Sequence, residues 1–78
     1  MQTRAQKKAE LIRLLAYPCN DKTASERTLA IHQTSLAHWR ENANNEALPA
    51  FHRERAAHLI PGEQEWIEVI KEVLREHF

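Results

Sequence analysis

The sequence predicts an all-α protein: a small bundle of four or five short helices forming a single domain over residues 1–78. Three observations carry this reading. No alternating run of β-branched residues occurs, so no strand is expected. Apolar residues recur at three- and four-residue steps in each segment. The chain is punctuated by three prolines, Pro18, Pro49 and Pro61, and one glycine, Gly62. The residue before a proline is biased away from helix, which places boundaries near Tyr17, Leu48 and Ile60.

The first helix is expected over Thr3–Ala16. Leu11, Ile12, Leu14 and Leu15, with Ala5 in the turns before, form one apolar arc, edged by Arg4, Lys7, Lys8 and Arg13. Pro18, Asn20 and Asp21 give Tyr17–Lys22 the chemistry of a turn. Asn42, Asn44 and Asn45 mark a second loosening of the chain. Pro49 suits the first turn of a short helix to Leu59, anchored by Phe51, Ala56 and Leu59. A last helix is expected from Pro61, with Glu63 and Glu65 in its first turn, where the helix dipole favours acids. Its apolar residues, Trp66, Ile67, Val69, Ile70, Val73, Leu74 and Phe78, cover about half its circumference. Such an arc closes a monomer core. It is also wide enough for Trp66, Ile67, Ile70, Val73 and Leu74 to meet a second subunit in a homodimer or higher oligomer.

The stretch from Thr23 to Asn42 is the richest in function. Thr23 followed by Glu26 reads as a capping box that starts a helix at Ala24. As one helix, Leu29, His32, Leu36, Trp39 and Ala43 share a face, while Ile31 falls nearly opposite. A break at Ala30–His32 accounts for Ile31, whose side chain then plugs the angle between two short helices. Leu36 and Trp39 become the inner face of the second, and Gln33, Thr34, Ala37, His38 and Arg40 its exposed face. The broken form is the expectation.

On these residues the chain resembles the helix-turn-helix family, especially the homeodomain-like modules of transposases and of phage packaging or regulatory proteins. Those modules often end their second helix in Ser/Thr-Leu-x-x-Trp-Arg, and this chain has Ser35-Leu36-Ala37-His38-Trp39-Arg40. The match covers about 20 residues, and helix one would supply the third helix of the module. The turn of such modules usually carries glycine where this chain has Ala30. The resemblance implies double-stranded DNA as partner, read by the second helix in the major groove. Gln33, Thr34, Ser35 and His38 would then lie near base edges, with Arg40 reaching phosphate or guanine. Lys22, Arg27, Arg4, Lys7 and Lys8 would neutralise phosphates.

Charge is asymmetric although the net is zero. Residues 1–40 hold seven Lys/Arg against three acids, and residues 41–78 hold four against eight. The basic half can face phosphates or attract the acidic half. The neutral balance favours a second reading, a helical protein-interaction module acting as adaptor, inhibitor or assembly subunit. The single cysteine, Cys19, excludes an internal disulfide and suits a reducing, cytoplasmic setting. The N-terminal apolar run, broken by Arg13, is too short for a signal peptide or membrane span. His32 and His38 are six residues apart, as are His52 and His58. That spacing differs from the four-residue step of a helical metal pair, so no metal is expected, and His52 and His58 are read as packing within the core. No cofactor loop or catalytic constellation is visible, and no enzymatic activity is expected.

Overall fold

The computed structural model describes residues 2–78. It is all-helical, with three helices rather than four or five: α1 (Arg4–Leu14), α2 (Lys22–Ala43) and α3 (Ala50–His77). The 28 residues of α3 span about 42 Å at 1.5 Å per residue, nearly the whole 44 Å long axis of the molecule. The radius of gyration, 14.5 Å, exceeds the roughly 11–12 Å of a compact chain of this length. The fold is a long central helix with two others laid on it.

Each helix start has a local cause. Thr3 caps α1 by accepting from the Gln6 amide, and Gln6 Oε1 accepts in turn from the Thr3 amide, a reciprocal box. The start of α2 differs from expectation. Asp21, not Thr23, is the cap, its Oδ1 accepting from the Ala24 amide at 2.9 Å. A carboxylate satisfies the same orphan N–H as a hydroxyl and adds favourable charge at the positive end of the helix. Pro49 stands immediately before α3, where its missing N–H costs nothing.

Two expected boundaries are absent. The break at Ala30–His32 does not form, and α2 runs through it as 22 continuous residues. Ala30 is the best helix former where a turn needs glycine, and a continuous α2 sets Leu29, His32, Leu36 and Trp39, all half-buried, along α3. Ile31 plugs no angle and is 64% exposed. The helix-turn-helix-like centre is therefore replaced by one straight element. Nor does Pro61 divide the C-terminal segment, because α3 passes through it. Proline fixes φ near the helical value, so the loss is one hydrogen bond and a ring clash, about 3 kcal/mol. Packing of α2 on both sides of the site offsets that cost.

Helix α2 packs antiparallel to α3. Trp39 lies by Ala56, His32 by Glu63, and Thr28 by Ile70. Helix α1 runs beside the C-terminal half of α3. Thr3 lies near His58 and Gly62, Lys7 at Glu65, and Leu11 near Ile70 and Val73. Being 11 residues long, α1 leaves the first turns of α3 uncovered. The core reflects this. Ile67, Val69, Ile70 and Val73 are buried in the doubly covered half, and Ala56 alone in the other. Phe51 and Leu59, expected as anchors, are 65% and 39% exposed, because α3 has no neighbour on that side there. Pro61→Ala should restore the missing helical bond and stabilise the chain by about 2 kcal/mol, read as a higher urea midpoint at unchanged slope.

Candidate functional site

Three of the four basic residues of α1, all but Arg13, are committed to α3. Arg4 reaches Glu68 at 2.6 Å and Glu72 at 3.1 Å. Lys7 reaches Glu65 at 2.9 Å. Lys8 reaches Glu72 at 2.8 Å and Glu76 at 2.9 Å. The asymmetry between the two halves of the sequence is thus cancelled inside the molecule, as a ladder of ion pairs between α1 and α3. The expectation that Arg4, Lys7 and Lys8 stand free to meet phosphate is corrected here. Lys8, then Arg4, holds the Glu72 carboxyl below the ordinary glutamate value; the hydrogen bonds to Glu72 and Glu76 raise Lys8, and those to Glu68 and then Glu72 raise Arg4.

Lys7 is the one buried charged residue among those described. Burying an ammonium is costly unless it is paired, and here it has the Glu65 carboxylate and the face of Trp66, 5.5 Å from the ring centroid. Trp66 also stacks with His32, with centroids 5.8 Å apart and planes 15° apart. His32 Nδ1 donates to Glu63 Oε2 at 2.6 Å. Trp66 therefore joins all three helices. Ile67, Ile70 and Val73, considered for a second subunit, are buried within the chain, and Trp66 and Leu74 are half-buried. Most of the arc of the last helix closes the monomer core, while Phe78 at its end is 49% exposed.

The other expected DNA contacts lie on α2. Lys22, Arg27, Gln33, Thr34, His38 and Arg40 are exposed, and Ser35 is half-buried at the edge of that face. They are strung along the full helix and interleaved with Glu26 and Glu41, both exposed. Gln33, Thr34 and Ser35 occupy the middle of α2 rather than the N-terminus of a recognition helix. His38 sits edge-on to Trp39 with centroids 5.0 Å apart and accepts from Asn42 Nδ2 at 3.2 Å.

Away from the ladder, a groove of about 460 Å³ lies between the end of α2 and the start of α3. Trp39, Leu48, Ala56 and Leu59 form its apolar floor and wall. Asn42, His52 and Arg55 supply its polar edge, and no lining residue is acidic. The loop beneath is braced. Arg53 Nε donates to the Leu48 carbonyl, Asn44 Nδ2 to the Arg40 carbonyl, and the Ala47 amide to Asn45 Oδ1. His52 and His58 do not pack in the core. Both are exposed, and the His52 ring lies against Phe51 with centroids 4.0 Å apart. Sequence reasoning missed Arg55. The four-residue step Phe51–Arg55–Leu59 marks one ridge of α3 and was the available signal. A second cleft, of about 140 Å³, lies where Leu11, Leu14, Ala24, Thr28, Ile70 and Val73 converge. Its polar neighbours are already satisfied, with Asn20 donating to the Leu14 carbonyl and Thr28 to the Ala24 carbonyl.

Among the described residues no helix is long and apolar enough to cross a membrane. No protein-family model, curated protein sequence or solved structure matches the chain.

Two outcomes test the ladder. The Glu72 carboxyl is depressed in the folded chain, so its contribution is present above the unfolded value, near pH 4.3, and is lost as pH falls through the lower folded value. Glu72→Gln should therefore flatten the acid limb of the stability curve while leaving neutral-pH helicity intact, measured by circular dichroism against pH. Trp66→Ala should cost about 3 kcal/mol, the low end for loss of a large core aromatic because the ring is half-buried, read by urea unfolding.

Proposed function

We propose that the chain is a helical protein-interaction module, with the half of α3 that α1 leaves open as its working surface. One observation supports this above others: a braced groove with an apolar lining beside an exposed ridge, at the end of the molecule that the ion-pair ladder does not reach. A monomer exposes single apolar side chains routinely, but a contiguous apolar recess with a polar edge marks a recognition surface. The alternative, DNA binding through the outer face of α2, loses Arg4, Lys7 and Lys8 to the ladder and lacks the angled pair of helices that sets a recognition helix in the major groove. It retains Lys22, Arg27 and Arg40 as exposed cations.

The two readings separate by salt and by variant. The interaction module predicts a complex with a protein partner that persists in 0.5–1 M salt, on the order of conditions where the Debye length shrinks to a few ångströms. It is lost with Phe51→Glu and kept with the double variant Arg27→Glu, Arg40→Glu. Binding to duplex DNA that weakens steeply with salt and vanishes in the Arg27/Arg40 double variant would establish the alternative instead. Substitutions at Ile67, Ile70 or Val73 do not discriminate, since they unfold the core.

A further inference from the structure

The charge along α3 reverses at Pro61. Before it stand Arg53 and Arg55 with one acid, Glu54. After it stand Glu63, Glu65, Glu68, Glu72 and Glu76 with Lys71 and Arg75. The acidic half already carries a docked helix, α1, which brings basic side chains to it. The half before Pro61 presents the opposite sign beside an apolar floor and carries no such helix. Among the described residues neither His52 nor Arg55 makes an ion pair or side-chain hydrogen bond with another residue, while Arg53 beside them is tied to the Leu48 carbonyl.

Building on the interaction-module reading, we propose that this groove receives an acidic amphipathic helix from a partner protein. The helix lays apolar side chains against Trp39, Leu48 and Leu59, and its carboxylates meet Arg55 and His52. The groove between two antiparallel helices suits a helix as occupant, with apolar anchors at three- and four-residue steps. Charge selects an acidic one. The groove has cationic and hydrogen-bond-donating groups at its edge and no carboxylate in its lining, so a basic helix would find no counter-charge there. A second copy of this chain is disfavoured by symmetry. A two-fold contact across the Phe51–Arg55–Leu59 ridge sets Phe51 against the partner's Leu59 and brings the two Arg55 side chains together at the axis, because an isologous contact pairs the central residue with itself. Like charges facing each other there oppose the pairing. A partner helix with a carboxylate between two apolar anchors turns the same arrangement favourable. Hydrogen bonds within the loop under Leu48 brace one wall of the groove.

A displayed library of helical peptides tests this with the full chain as bait. Apolar residues are fixed at three- and four-residue steps, and the intervening positions are randomised among Glu, Lys, Ser and Ala. The expected result is enrichment of peptides with Glu at those positions. The tightest, synthesised and followed by fluorescence anisotropy, should weaken at least tenfold with Arg55→Glu and with Leu59→Glu, and should be unchanged with Arg27→Glu. Both groove residues are exposed, and far-UV circular dichroism confirms that the variants keep their helicity. Enrichment of Lys-rich peptides overturns the proposal, as does no enrichment over an unrelated helical bundle. So does a dimer of the chain alone that Leu59→Glu disrupts in sedimentation. Peptides that bind but are indifferent to Arg55 and Leu59 overturn the groove and leave the interaction-module reading standing. Absence of peptide binding together with salt-sensitive duplex DNA binding through Arg27 and Arg40 overturns both.

Discussion

The fold depends on the indole of Trp66, which meets one side chain from each of the other two helices. Lys7 of α1 lies over one part of the ring and His32 of α2 stacks on it, and each is also tied to a carboxylate of α3, Glu65 and Glu63 respectively. These contacts matter because there is little else. The buried apolar set amounts to four side chains between Ile67 and Val73 and the small Ala56. A chain of this size buries a modest share of its surface, so its order rests on contacts that combine area with direction. Trp66 supplies both. Its large face buries area, and its flat electron-rich surface specifies where Lys7 must sit. Without it α1 would keep its ion pairs but lose the fixed point that sets its position along α3.

Electrostatics here helps to lay α1 along α3. Exposed ion pairs taken singly contribute little, yet Arg4, Lys7 and Lys8 form a ladder with four glutamates on one side of α3. Such a ladder specifies which helix docks where, even when each rung adds a fraction of a kcal/mol. The zero net charge of the sequence thus has a structural meaning: the surplus of one half closes on the surplus of the other. Cations outside the ladder include Arg55 at the far end and Lys22, Arg27 and Arg40 on the outside of α2.

Much of this architecture was legible in the residues, and the failures have physical reasons. Helicity throughout, the turn around Pro18, Asn20 and Asp21, and the inner face Leu29–His32–Leu36–Trp39 all follow from period and turn chemistry. The competition between Asp21 and Thr23 for the cap of α2 is harder, because both are competent acceptors and only the position of the first helical turn decides. The break at Ala30 was expected to explain one residue, Ile31, whereas burying a whole face of α2 along α3 outweighs leaving one isoleucine in water. Pro61 misleads for the same reason. Local preference opposes the helix there, and tertiary packing on either side overrides it. The ion-pair ladder was visible only as two opposite surpluses, since pairing across 58 to 68 residues depends on how helices are laid together. The groove was least legible, because Phe51 and Leu59 read as core until the shortness of α1 is known.

The passage of α3 through Pro61 has a dynamic consequence. A proline at that position offers no amide to the Ala57 carbonyl, and Gly62 after it adds backbone freedom. The long helix is therefore joined at a soft point, with most of the buried core on one side. Cooperative units in proteins divide where internal bonding is thinnest. The end built from Trp39, Leu48 and Ala56 is set to open and reclose at lower free energy than the end fastened by Trp66. In amide exchange the chain would show two tiers of protection on one continuous helix, with the surface offered to a partner in the more labile tier.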